Sequence, residues 1–252
     1  MKILLSPAKS LNFKSSLPTE IYTEPCFLKE ANFLNSILKF KNPAQISELM
    51  HISSSLGELN YERFQEWSSK PNKGNARQAI FAFSGDVYKG IDSYTIKNDN
   101  IDFLQNNVRI LSGHYGLLKP LDLIQPHRLE MGTKMSFKSY KNLYDYWKKQ
   151  VSLKLNKELS KDEPVLNLAS NEYFKVIDSK VIDSPIYSAN FKQYRDGNFK
   201  TIAIYSKKAR GLMTRFIVDN QIDTIEDIKS FDYDGYVFHD ELSNDKDFVY
   251  SR

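Results

Sequence analysis

The sequence has one cysteine, Cys26, in 252 residues. No intramolecular disulfide is possible, and a reducing compartment is the matching expectation. No stretch approaches the ~18 consecutive apolar residues of a membrane span. The first ten residues, MKILLSPAKS, hold one lysine and too short an apolar stretch for a secretory signal. They are expected to form a first β-strand, and a cytoplasmic, membrane-free protein is expected. There is no repeat, low-complexity tract or Gly/Ser linker. There is also no Gly-rich phosphate loop and no G-x-G-x-x-G, so the usual nucleotide fingerprints are missing. With no composition break, residues 1–252 are expected to be one domain.

What is present supports a sizeable core. Hydrophobic residues make up 41% of the chain, aromatics 13% and charged residues 26%. The net charge is +4, and it is unevenly spread. Residues 219–252 contain ten acids and three basic residues, giving −7, so residues 1–218 carry +11. A basic body with an acidic end suits a polyanionic partner, although solvated surface charge produces the same sum.

Five apolar runs read as buried strands: KILLS (2–6), AIFAFS (79–84), VRILS (108–112), VLNLAS (165–170) and TIAIYS (201–206). Each ends in serine and runs into a turn or helix start. In parallel sheets, ligands sit beyond the carboxyl ends of strands. The serines Ser6, Ser112 and Ser170 therefore mark a candidate cleft wall, while serine is equally a common cap and turn former. Three-four spacing predicts helices over 24–40 and 42–52, and an amphipathic helix from about Leu143. On that helix Tyr144, Trp147, Val151 and Leu155 form one stripe. Asp196-Gly197 marks a hairpin turn. Strands interleaved with helices predict a mixed α/β (α+β) fold with a central mixed sheet and surrounding helices.

The segment YSKKARGLMTRFIVDN (205–220) predicts a helix starting at Ser206, with Lys207, Lys208 and Arg210 in its first turn. A helix N-terminus already carries partial positive charge, so cations there suit a bound anion or are solvated. Five basic residues and no acid lie between Gly197 and Val218, Arg215 included. PNKGNARQAIFAFSGDVYKGI adds Lys73, Arg77 and Lys89, with Asp86 as a cap or a site acid. ISELMHISSSLGELNYERFQEW (46–67) reads as two short helices about a turn at SSSLGELN. Such a pair is able to hold a nucleic-acid backbone through turn N–H groups, as is any helical hairpin to look at.

The stretch ILSGHYGLLKPLDLIQPHRLEMG (110–132) holds His114, Asp122, His127 and Glu130 at spacings that match no metal-ligand pattern. No metal or cofactor is expected. Its glycines and prolines suit a rigid wall, with Ser112, Gly113, Tyr115, Gly116 and Asp122 in the wall and Lys119, Arg128 and Glu130 as polar groups. Ser6-Pro7-Ala8-Lys9 fits a short S-x-x-K pattern, without the partner motifs of acyl enzymes. Lys9, Asp86, Arg128, Glu130 and Tyr173 are candidates for acid–base work beside a phosphate; Asp86, Arg128, Glu130 and Tyr173 are the catalytic candidates.

ILLSPAKSL, NARQAIFAFSGDVYKGI, RILSGHYGLLKPLDLIQPHRLEMG, NLASNEYFK and KKARGLMTRFI, in this order and spacing, resemble the bacterial YaaA peroxide-stress family over essentially the whole chain. Gly85, Tyr88, Glu172 and Gly211 match that pattern too. The resemblance implies one mixed α/β domain with a basic cleft and a helix-hairpin-helix element at about 43–67. It implies binding of double-stranded or branched DNA with little sequence specificity, by a protein expected to be monomeric. It also implies resistance to hydrogen peroxide, linked to low unincorporated iron, and it leaves open whether any reaction is catalysed. Phosphate contacts would come from Lys9, Lys73, Arg77, Lys89, Lys119, Arg128, Lys207, Lys208, Arg210 and Arg215. The family carries an apolar residue at position 114 and Tyr at 127, which speaks against a histidine ligand pair. The alternative is an enzyme acting on a nucleotide, nucleobase or phosphorylated small molecule in the same cleft.

Overall fold

Three of the apolar runs become the centre of a parallel sheet. A computed structural model describes residues 1–252. In it, β1 (Lys2–Leu5) is wholly buried and apart from Lys2 apolar, as a strand covered on both faces must be. It is followed by the two-residue β2 (Ser10–Leu11) and by helices α1 (Leu28–Leu38), α2 (Pro43–Met50) and α3 (Ser54–Glu66). Next come β3 (Arg77–Gln78), the single turn α4 (Ala79–Ala82), β4 (Phe83–Ser84), α5 (Asp86–Ile91) and α6 (Ile101–Asn107). Then follow β5 (Val108–Ser112), β6 (Gly116–Leu118), β7 (Leu123–Ile124), α7 (Leu143–Glu158), β8 (Val165–Asn167) and α8 (Asn171–Phe174). The chain closes with β9 (Ile186–Arg195), β10 (Asn198–Lys200), α9 (Ala203–Asp219), β11 (Val237–Phe238) and β12 (Asp247–Ser251).

The main sheet has eight strands in the order β11-β12-β9-β8-β1-β5-β6, with β10 paired to β9. β1 lies parallel between β5 and β8, with Ile3 opposite Val108 and Leu166. β9 and β12 continue the parallel set, and β6 and β11 add antiparallel edges. The period of two sorts side chains onto the two faces. Ile3, Leu5, Ile110 and Leu166 enter the larger core under α5 and α9. Leu4, Leu111 and Val165 enter the smaller one under α1, α3 and α7. Trp147, Val151 and Leu155 are fully buried in that second core, as the stripe on α7 predicts. The β9–β10 hairpin turns at Asp196 (φ 52°) and Gly197 (φ 76°), the left-handed pair expected of that dipeptide.

Three sequence expectations are corrected. Residues 79–84 are not one strand. Ala79–Ala82 form a helical turn between two short strands, with the Ala79 and Ile80 amides bonded to the carbonyls of Asp122 and Pro120 at 2.8 and 2.9 Å. A wholly apolar run carries no period, so its conformation is set by the surrounding backbone. Residues 201–206 are not a strand either. β10 ends at Lys200, and the Ser206 amide already bonds to the Ile202 carbonyl at 2.9 Å in the first turn of α9. Lys207, Lys208 and Arg210 therefore follow the first turn, where the helix dipole has faded. Finally, the turn between α2 and α3 is residues 51–53, and SSSLGELN is largely α3 itself. Gly57 lies inside that helix. A Cβ there would sit 2.7 Å from the Pro43 carbonyl oxygen, so this glycine lets the two helices touch rather than shaping a phosphate-holding turn.

Candidate functional site

The C-terminal ends of β1, β5 and β8 converge on a cavity of about 280 Å³. Ser6, Ser112 and Ser170 all line it. Ser6 Oγ accepts the Ser170 amide at 2.8 Å, which ties the ends of β1 and β8 together. Ser112 Oγ accepts the amides of His114 and Tyr115 at 3.2 and 3.1 Å, closing the turn after β5. The serines are thus turn formers and cavity lining at once.

Opposing helices bring the charged groups in. Gly90 on α5 and Gly211 on α9 face each other where the helices cross. A Cβ on Gly211 would lie 1.9 Å from the Val87 carbonyl oxygen, and one on Gly90 2.3 Å from the Lys208 carbonyl oxygen. Only glycine permits this approach, and it places Asp86 and Tyr88 of α5 in the same cavity as Lys207 and Arg210 of α9. Gly113 acts similarly at the end of β5. A Cβ on it would lie 2.4 Å from the Leu129 carbonyl oxygen, so the bare glycine lets the 129–131 backbone approach, and Arg128 and Glu130 reach the cavity.

Four cations line the cavity, Lys9, Arg128, Lys207 and Arg210, beside three acids, Asp86, Glu130 and Glu172. Glu130 is committed within the protein. It accepts from Lys9 at 2.7 Å and from Arg128 at 2.8 Å. Burial alone would raise its carboxyl, but these two cations outweigh it and hold the group below the usual range. Glu172 accepts the Gly132 amide at 3.0 Å. Asp86 has only Lys89, at 3.9 Å. Tyr88 donates to the Ser6 carbonyl at 3.1 Å. Burial first, and neighbouring groups second, raise the phenols of Tyr88 and Tyr173, so both stay neutral O–H groups at neutral pH.

Arg210 differs from the other cations. Its Nε is sealed from solvent without a hydrogen-bond partner, and its side chain forms no ion pair. Burial lowers its pKa, yet a guanidinium stays charged. Lys207, one turn away, is exposed and also unpaired. Both reach the cavity.

Other predicted site residues lie elsewhere. Arg77 is buried and spends its guanidinium on the Asn12 carbonyl, the Ser15 carbonyl and the Tyr94 hydroxyl. Lys73 pairs with Glu20 at 2.5 Å, and Lys208 with Asp234 at 3.1 Å. Arg215 pairs with Asp219 at 2.6 Å and reaches the Asp92 carbonyl and Thr95. Lys89 is on the surface beside Asp86. Tyr115 and Gly116 are core: the Tyr115 hydroxyl accepts the Gln125 amide at 2.9 Å, and Gly116 (φ 69°) packs on Trp147. Asp122 and Lys119 lie at a separate small cavity with Cys26. Asp122 accepts from Thr23 at 2.6 Å and from the Lys119 amide at 2.8 Å. Cys26 is exposed at the rim of that cavity, and partial desolvation, then Asp122, raises its thiol rather than lowering it.

Several lining residues escaped the sequence reading. Phe83 and His127 line the cavity, yet Phe83 sat in an apparent strand and His127 drew attention only as a possible ligand. Arg63 on α3 borders the neighbouring grooves with no acidic partner, and no motif marked it.

The fold and site define an α/β protein with a charged cavity at the carboxyl end of its parallel strands. Residues 1–242 match the family model described as peroxide stress protein YaaA. The chain is 52% identical over 252 residues to a UPF0246 protein of Flavobacterium johnsoniae, covering all of both chains. It is 49% identical to a UPF0246 protein of Flavobacterium psychrophilum, again over the full length of both. A third UPF0246 protein, from Saccharophagus degradans, is 46% identical over all of this chain and 99% of the relative. The chain belongs to the YaaA peroxide stress protein family. No helix is long and apolar enough to cross a membrane.

Proposed function

We propose that this chain is a peroxide stress protein that binds DNA, duplex or branched, by seating phosphates on the cations of the cavity at the β1, β5 and β8 ends. The family resemblance supplies the partner and the setting, which is limiting damage from hydrogen peroxide and unincorporated iron. One observation carries the assignment of the site. Arg210 is a half-buried cation with a sealed Nε and no carboxylate partner. A partly desolvated cation without a carboxylate partner is stabilised by a phosphate placed beside it. Lys9, Arg128 and Lys207 surround the same space. Contacts to phosphate position a strand without reading its bases, so little sequence preference is expected.

A gel-shift titration of wild type against Lys207→Ala/Arg210→Ala tests the placement. The double variant is expected to lose about 10- to 100-fold in affinity for any duplex. Unchanged affinity places the DNA elsewhere.

A second reading, an enzyme acting on a nucleotide or phosphorylated small molecule, is favoured by Asp86. That carboxylate shares the cavity with the free cations and has no close partner of its own. Acids beside cations in a crevice are the ordinary equipment of acid–base chemistry near phosphate.

A further inference from the structure

The cavity at the strand ends is too small for a duplex, and its lining is not uniformly basic. At about 280 Å³ it lies near the lower end of small-ligand sites, the scale of one nucleotide. We propose that it holds a single nucleoside monophosphate unit, with the phosphate on Arg210 and Lys207. The inference rests on the phosphate-binding reading of those cations given above.

Three features beyond charge favour a nucleotide over a bare phosphate. The cavity has an aromatic wall. The Phe83 ring lies 5.4 Å from that of Tyr88 and 6.3 Å from that of His127, and all three residues line the space. Each of these residues is at most 6% exposed, so the wall offers a base apolar ring edges rather than an open face. Asp86 provides an acceptor whose only ionic neighbour is Lys89 at 3.9 Å. It suits a sugar hydroxyl or an exocyclic amine, whereas a bare phosphate would be repelled by it. Arg210 provides a planar guanidinium that lines the cavity without an ion pair, and its fork suits bidentate contact with a phosphate.

A nucleoside monophosphate exists free and as a unit of a strand. Reaching this cavity from a duplex requires extrusion of one nucleotide, at a few kcal/mol of unstacking. The chemistry recognised is the same in both cases.

Calorimetric titration with deoxyadenosine 5′-monophosphate tests the proposal, with inorganic phosphate and deoxyadenosine as separate probes. The monophosphate is expected to bind at least tenfold more tightly than either fragment. Arg210→Ala is expected to weaken it about 10- to 100-fold, and Arg210→Lys, which keeps the charge without the fork, by less. Thermal unfolding of both variants checks that they fold. A duplex carrying 2-aminopurine then separates the sources. A fluorescence rise on mixing supports an extruded nucleotide as the occupant, and a flat signal with tight monophosphate binding supports a free one. No monophosphate binding and a flat duplex signal, or binding that Arg210→Ala leaves unchanged, overturns the proposal. If wild-type gel shifts persist in that case, DNA binding stands without the pocket. Monophosphate binding without a gel shift leaves the pocket and removes DNA as its partner.

Discussion

Among single residues, the histidines that look most like ligands have a structural part. His114 is fully buried against Trp67, with ring centroids 4.6 Å apart, and lies 5.1 Å from His127. His127 Nδ1 donates to the Gln125 carbonyl at 2.8 Å. Burial above all lowers both pKa values, that of His127 to about 4 and that of His114 well below its ordinary value. A histidine whose folded pKa is depressed stabilises the fold above its unfolded pKa of about 6.5. That stability is lost as pH falls toward the folded value. Asp122 works in the opposite sense, because burial raises it to about 6 and its protonation favours the fold as pH drops toward 4. Two histidines outweigh one aspartate, so net destabilisation is expected between pH 6.5 and 4. His114→Leu keeps the apolar volume and removes one proton-binding group. Unfolding free energies from urea titrations at pH 7 and pH 5 are expected to differ less in the variant than in wild type, by about 1–2 kcal/mol. An identical difference in the two proteins would clear His114 of this role.

At the scale of elements, the crossing of α5 and α9 builds the site. Gly90 and Gly211 bring the two backbones together, and with them Asp86 and Arg210. Gly211→Ala must push α9 away from Val87, at about 1–3 kcal/mol of stability. Weaker nucleotide binding is expected with it, because the spacing of cations and carboxylate changes. Chemical denaturation together with the calorimetric titration measures both, and a variant with wild-type stability would show that the helices have slack. This crossing was only partly legible in the sequence. The parallel strands at 2–5, 108–112 and 165–167 were legible because sheet interiors demand unbroken apolar runs, and the convergence of Ser6, Ser112 and Ser170 followed from them. The runs at 79–84 and 201–206 have the same composition but lie outside the sheet interior. There the short reach of β10 and the carbonyls of Pro120 and Asp122 decide the conformation. Arg77 and Arg210 illustrate the remaining limit. Both are basic residues in matching motifs, and only the fold separates the one bonded to backbone carbonyls from the one left without a partner.

On the scale of the whole molecule, the +11 of residues 1–218 does not translate into a uniformly basic cleft. Lys73, Lys208 and Arg215 are neutralised by Glu20, Asp234 and Asp219, two of those acids coming from the acidic C-terminal segment. At the strand-end cavity four cations face three acids, and of the four Lys207 and Arg210 form no ion pair. The most direct test is the salt dependence of DNA binding in wild type and in Lys207→Ala/Arg210→Ala. Each neutralised phosphate contributes about 0.9 to the slope of log affinity against log salt. Loss of both cations is expected to reduce the slope by about 1.8, along with the affinity, for every duplex sequence tried. An unchanged slope and affinity would contradict the central claim that Arg210 and Lys207 hold phosphate.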